Sequence, residues 1–175
     1  MKKKPIYLWI LLVLSALISA MSLFGILTPI PSKESLSETQ AQVQGISAQQ
    51  LEDTINYLHK TAELSHSPFN VVLIILSAIL VVVALVFLVR KNLQYANYAY
   101  IGYVLLAIIG LVYAYMGMQD AVQVIRDETM RLGTEVLAKA TSILFIVINV
   151  IFLAIVIYKM WRQQQALAEK EEEQV

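Results

Sequence analysis

Cysteine is absent from this chain. That removes disulfides, thiolate metal sites, lipoprotein attachment and palmitoylation together. Charge is scarce too: Asp, Glu, Lys and Arg make up 15% of the 175 residues, where a soluble protein has about a quarter. Acids and bases number 13 each, so the formal net charge is zero. No global basic field exists to attract nucleic acid, and no acidic one to gather cations. Catalytic signatures are missing as well. There is no Gly-rich phosphate loop, no HExxH, and no acid or base in the middle of an apolar run that could relay protons. Both histidines fall outside the apolar runs, five of the eleven serines lie inside them, and no Ser and His motif marks a nucleophile site. The expectation is a protein that is not an enzyme, with no cofactor, no metal and no nucleic-acid partner.

Apolar residues are abundant, at 58% of the chain. Four runs reach the length of roughly 20 residues that a helix needs to cross hydrocarbon: 6–27, 69–89, 96–118 and 137–158. Only Lys139, near one rim, brings a charge into them. Four such runs leave too few polar residues to cover them as buried helices of a soluble protein. The first run doubles as a leader candidate, because Lys2 to Lys4 precede it and Ala20-Met21-Ser22 makes a small-x-small site. It continues past that site, which favours a retained span.

Basic residues near span ends stay cytoplasmic. Lys2, Lys3, Lys4, Arg90, Lys91, Lys159 and Arg162 flank the runs on one side. On the other, Lys33, Lys60, Arg126, Arg131 and Lys139 are outnumbered by acids. The expected layout is a cytoplasmic N-terminus (1–5), an extracytoplasmic loop (28–68), a cytoplasmic turn (90–95), a second extracytoplasmic segment (119–136) and a cytoplasmic tail (159–175). The location that follows is a cell membrane crossed several times, with both termini cytoplasmic. A multi-loop exported chain without disulfides favours a bacterial membrane. Tyr7, Trp9, Tyr95, Tyr98, Tyr158 and Trp161 sit at the inner ends as interfacial anchors, with Tyr113 and Tyr115 near the outer end.

The first outer loop carries two capping-box patterns, Ser35 with Glu38 and Ser47 with Gln50. After the second, Leu51, Ile55, Leu58 and Ala62 recur at helical spacing and make one apolar stripe that needs a covering surface. Leu51, Ile55 and Leu58 are therefore candidate partner-binding residues. The second outer segment, where Val122, Ile125 and Leu132 share a stripe, is the alternative cover. Gly133 is expected to break that segment, with Thr134 as N-cap of the last helix.

His59, Glu63 and His66 fall on one helix face and are competent metal ligands, but no fourth ligand is adjacent and Pro68 follows closely. A solvated helix face is the simpler account. Asn149 is the one strongly polar residue deep in a run. Its amide needs a partner in hydrocarbon, and an interhelical hydrogen bond is the expected one. A substrate contact is the alternative, weakened because no other midplane residue is expected to complete a polar site. Small residues mark faces for close helix approach: Ser15 with Ser19 in the first run, and Ala107, Gly110, Ala114 and Gly117 in the third. These are expected to serve packing within the bundle more than dimerisation.

Four spans, inward termini and a larger first outer loop are similar in layout to tetraspan proteins such as claudins. The claudin signature of Trp, Gly, Leu, Trp and two cysteines has no counterpart between Thr28 and Ser67, so no claudin function carries over. The Lys2-Lys3-Lys4-Pro5 start and the Cys-free chain resemble the small uncharacterised four-span membrane proteins of Gram-positive cocci, some labelled transporter permease components. This resemblance transfers no site residue. The expected fold is all-α: an integral membrane four-helix bundle with a short helical extracytoplasmic cap. The expected role is a non-enzymatic subunit that meets membrane lipid and binds another membrane protein or a second copy, in a transporter or cell-envelope assembly. A small-molecule transporter or permease component acting as an oligomer is the alternative.

Overall fold

The computed structural model describes residues 5–40 and 47–172, with side chains as far as residue 166. Lys2 to Lys4 and the acidic side chains of Glu169 to Glu173 lie outside the described residues. Among those described, the chain is all-α, with six helices and no strand: α1 (Ile6–Leu27), α2 (Lys33–Gln40), α3 (Ala48–Ser65), α4 (Pro68–Val89), α5 (Leu93–Val122) and α6 (Glu128–Glu172). Four of them, α1, α4, α5 and α6, are long and apolar enough to cross a membrane. Their backbone groups bond within each helix, as an apolar surrounding requires.

The short helices α2 and α3 lie at one end of the molecule, here the cap end, together with the turn between α5 and α6. The α4–α5 turn marks the opposite end. It occupies only Arg90 to Asn92, shorter than the expected 90–95, because Asn92 caps α5 through Tyr95 N and its own N–H returns to Phe87 O at 2.9 Å. Lys91 takes the left-handed conformation there, with φ of 61°.

The core gathers residues from all four long helices. Leu8, Leu11 and Leu12 of α1, Val81, Ala84 and Leu88 of α4, Ala96, Tyr100, Tyr103 and Val104 of α5, and Val156 of α6 are buried together. In α1 the buried positions Leu8, Leu11, Leu12, Ser15 and Ser19 make one stripe at helical spacing. Toward the cap end α1 is barer, and Met21, Phe24 and Leu27 are exposed. Of the four long helices α6 is barest: among its described side chains only Ala138 and Val156 are buried.

Two expected boundaries are corrected. The break after α5 falls at residues 123–127, not at Gly133, and α6 runs unbroken through Gly133 and Thr134. The reason is Asp127, whose Oδ1 accepts Met130 N–H at 2.9 Å, a cap to which Asp53 adds from α3. Thr134 instead donates its hydroxyl to Met130 O, one turn back in the same helix. Leu132 is consequently 53% exposed and belongs to no buried stripe. At the start of α2 the cap is Ser32, whose Oγ accepts Ser35 N–H at 3.2 Å, instead of the Ser35 and Glu38 pair. The capping box at Ser47 and Gln50 is formed in both directions, at 3.1 and 3.2 Å.

Candidate functional site

The most polar ordered region is the cap. Helix α3 is fastened across the α5–α6 turn by Asp53, whose side chain has no solvent-exposed surface. Its Oδ2 accepts the N–H groups of Arg126 at 2.9 Å and Asp127 at 3.1 Å, while Oδ1 accepts Arg126 Nε–H at 3.0 Å. Glu52 pairs with the other face of the same guanidinium at 2.7 Å, and Gln50 Nε2 donates to Asp127 Oδ2 at 3.3 Å. Burial pushes the Asp53 carboxyl up, but the Asp127 amide, the Arg126 side chain and the Arg126 amide outweigh it and hold the group below its ordinary 3.8. Hydrogen bonds and charge from Glu52 and Asp53 push the Arg126 guanidinium up.

The apolar stripe of α3 finds its cover inside the chain. Ile55 is buried, as are Ala121 and Val122 at the end of α5 and Ile125 in the turn, and α3 packs on α5 here. Leu51 and Leu58 are half-buried. Ile55 is thus covered by the chain itself, because Asp53 pins α3 face-down on the turn, while Leu51 and Leu58 keep part of their surface. Gly117 of α5 takes the underside of Leu64, and a Cβ at that position would collide with the Leu64 side chain. Gly110 faces Leu73 of α4 at ordinary contact distance, 3.9 Å, and Ala114 lines a cleft between the cap and α5. Ala107 is half-buried, and Ser15 and Ser19 are buried. Among the glycines, the tightest approach between two long helices is at a position outside the expected small-residue faces. It is at Gly102, where a Cβ would stand 3.3 Å from Leu80 of α4.

The cleft is small, about 80 Å³, and is lined by Thr61, Leu64, Asn70, Tyr113, Ala114 and Met118 among others. Its polar groups are engaged. Tyr113 Oη donates to Ser67 Oγ at 2.9 Å, and Asn70 Nδ2 donates to Ser65 O at 2.7 Å. Tyr113 also lies against Phe69, with ring centroids 4.7 Å apart. These bonds leave the cleft little to offer a solute.

Both histidines turn away from a shared metal position. His59 Nδ1 lies 3.0 Å from Pro31 O, and its Nε2 lies 3.5 Å from Glu63 Oε1. His66 Nδ1 is 2.8 Å from Ala62 O and Nε2 is 2.8 Å from Thr28 O. Among the described residues no three His, Asp or Glu side chains are grouped to hold a metal ion.

Between α1 and α5 runs a polar seam that the sequence reading overlooked. Tyr7 Oη donates to Asn97 Oδ1 at 3.1 Å, and the hydroxyls of Ser15 and Tyr100 are 3.3 Å apart. Asn97 is fully buried, and its Nδ2 has no partner among the described residues. Asn97 lies near the end of its run, so it adds a buried polar group there while Asn149 stays the one strongly polar residue deep in a run. The signal was in the sequence: Asn97, Tyr100 and Val104 fall on one face of α5, but Asn97 lies one residue inside the expected span and read as its rim. Asn149 itself does not reach another helix, because its Nδ2 donates to Phe145 O of α6 at 2.9 Å. The i−4 carbonyl of its own helix is always within reach, and packing on α6 is too sparse to compete.

A family comparison matches residues 1–169 to a domain of unknown function, DUF8777. The chain belongs to that family. No curated protein and no solved structure matches it.

Proposed function

We propose that this DUF8777 chain is a multi-pass protein of the cell membrane with both termini cytoplasmic, and that it acts as a non-enzymatic subunit holding a protein partner in a transporter or cell-envelope assembly. The observation that carries this reading is α6. It packs chiefly on α5, buries only Ala138 and Val156 among its described side chains, and continues far past the length a bilayer requires. A helix so little used by its own chain offers a long surface to another membrane protein or a second copy. The stripe at Leu51, Ile55 and Leu58, by contrast, is largely spent on the chain's own turn. Orientation is supported by the excess of Lys and Arg at the α4–α5 turn and beyond Tyr158.

A photo-crosslinking residue at Ile151, half exposed on α6, tests the partner in native membranes. A protein adduct of defined mass supports the reading; lipid adducts alone sink it. Orientation is tested by single cysteines. Positions Lys60 and Gln123 should label with an impermeant reagent on intact cells, and Lys91 should not. One observation favours a second reading: the buried, unpartnered Asn97 amide is a donor waiting for an acceptor. A transporter component would use it on a small solute. Solute-dependent thermal stabilisation abolished by Asn97→Leu would replace the subunit reading with that one.

A further inference from the structure

We propose that His59 and His66 form a proton-operated clamp on the segment joining α1 to α2, tightest when both rings are imidazolium and loosened when they are neutral and each has one N–H to share between two oxygens. They are the only two histidines of the chain, and both hold the same short stretch. His59 reaches Pro31 O and His66 reaches Thr28 O, at 3.0 and 2.8 Å. The second nitrogen of each ring also faces an oxygen, Glu63 Oε1 at 3.5 Å for His59 and Ala62 O at 2.8 Å for His66. Backbone carbonyls cannot donate, and an ionised carboxylate only accepts. A neutral imidazole has one N–H and one lone pair, so in either tautomer each ring sets a lone pair against an oxygen. The imidazolium has two N–H groups and satisfies all four acceptors.

His66 is the C-cap residue of α3, and Thr28, whose carbonyl it meets, is the C-cap residue of α1. The titratable residues on the elements that carry or adjoin the rings include Tyr57, Lys60 and Glu63 on α3, Lys33, Glu34 and Glu38 on α2, and Tyr113 and Asp120 on α5; α4 and residues 28–32 bring none. Lys33 is occupied, donating to Asn56 Oδ1 at 2.8 Å. Among the described residues Glu63 alone pairs with either ring.

The clamp matters because little else ties the segment down. Among the described residues, the long-range hydrogen bonds of residues 28–32 all come from these two rings; Thr28 and Ser32 otherwise bond to neighbours within four residues. Loss of the two protons leaves one N–H per ring, for which Pro31 O competes with Glu63 and Thr28 O with Ala62 O, and this loosens the connector and, with it, the sparsely packed cap end of α1. Only the identity of the compartment whose pH is read rests on the orientation proposed above; the clamp does not.

The test uses purified full-length protein in detergent, where orientation plays no part. A nitroxide on Ile30→Cys labels a single site, since the chain has no other cysteine. Its paramagnetic resonance line shape is followed from about pH 5 to about pH 8, the range in which an ordinary histidine titrates. The immobilised component should dominate at the acid end and shrink toward the alkaline end, and the His59→Gln/His66→Gln variant should show no pH dependence. A second nitroxide on Gln49→Cys, exposed on α3, should not change, which shows that the helices stay folded. An unchanged Ile30 line shape overturns the clamp, as does a response that survives in the double variant or one that Gln49 shares. Inverted cysteine labelling in cells would overturn the orientation and leave the clamp standing.

Discussion

A single carboxylate decides where α3 lies. Asp53 has no exposed surface, although the cap around it is thin, and it answers three N–H groups of the turn. Asp53→Asn keeps the shape but turns an amide N–H toward backbone donors. It should cost about 2 kcal/mol, the worth of hydrogen bonds to a charged group. The loss should be local: hydrogen exchange should speed up in residues 48–65 and 121–130 while α4 stays protected. Because the folded carboxyl is held below its ordinary 3.8, the folded cap binds fewer protons than the unfolded one as pH drops past that value. Its contribution is therefore complete above about pH 4 and is lost as pH falls through the lowered folded value. Acid titration of the same exchange signal should show that direction in the parent and not in Asp53→Asn. Glycines make a sharper contrast. Gly117→Ala drives a methyl into Leu64, whereas Gly110→Ala meets only ordinary contact with Leu73. The first should cost about 1–3 kcal/mol through overpacking and the second close to nothing. Equal melting temperatures for the two variants would show that α3 does not seat on Gly117.

Among the elements, α6 departs furthest from expectation. Glycine is a poor helix former, which made Gly133 a natural stop; yet the helix passes through it, since the two carboxylates Asp53 and Asp127 set the start of α6 about two turns before the expected cap at Thr134. A Cβ at Gly133 meets nothing within 4 Å. Gly133→Ala should then stabilise the protein by about 1 kcal/mol, the helix-propensity difference, read as a raised melting temperature. Asn149→Leu should be nearly silent in a detergent melt of the monomer, well under about 1 kcal/mol, because the lost bond lies within α6. A large loss that grows on dilution of the protein would instead place Asn149 between two copies. Helix α1 depends on its polar seam. Tyr100→Phe removes one hydroxyl bond to Ser15 and should cost about 0.6 kcal/mol, the mean for such bonds between apolar helices.

At the scale of the whole molecule, much was legible because it depends on solvent and period alone. A run of some twenty apolar residues has few ways to satisfy its backbone, so four long helices and an all-α chain followed from composition and spacing. The Ser47 and Gln50 box followed too, since both its bonds close within four residues. What stayed hidden needed partners distant in sequence. Asp53 reads as one more surface acid until it meets Arg126 and Asp127, more than seventy residues away. Asn97 reads as a rim residue until Tyr7 crosses to it from another helix. The stripe of Ile55 announced a need for cover without naming it, and the choice between a foreign partner and the chain's own turn was made by packing. Local chemistry, with energies set by neighbours within a turn or two, was determined by the sequence by itself. The seating of α3, the start of α6 and the direction in which each histidine faces were decided only by tertiary structure, because a hydrogen bond between distant residues exists only once the fold has brought donor and acceptor within 3 Å.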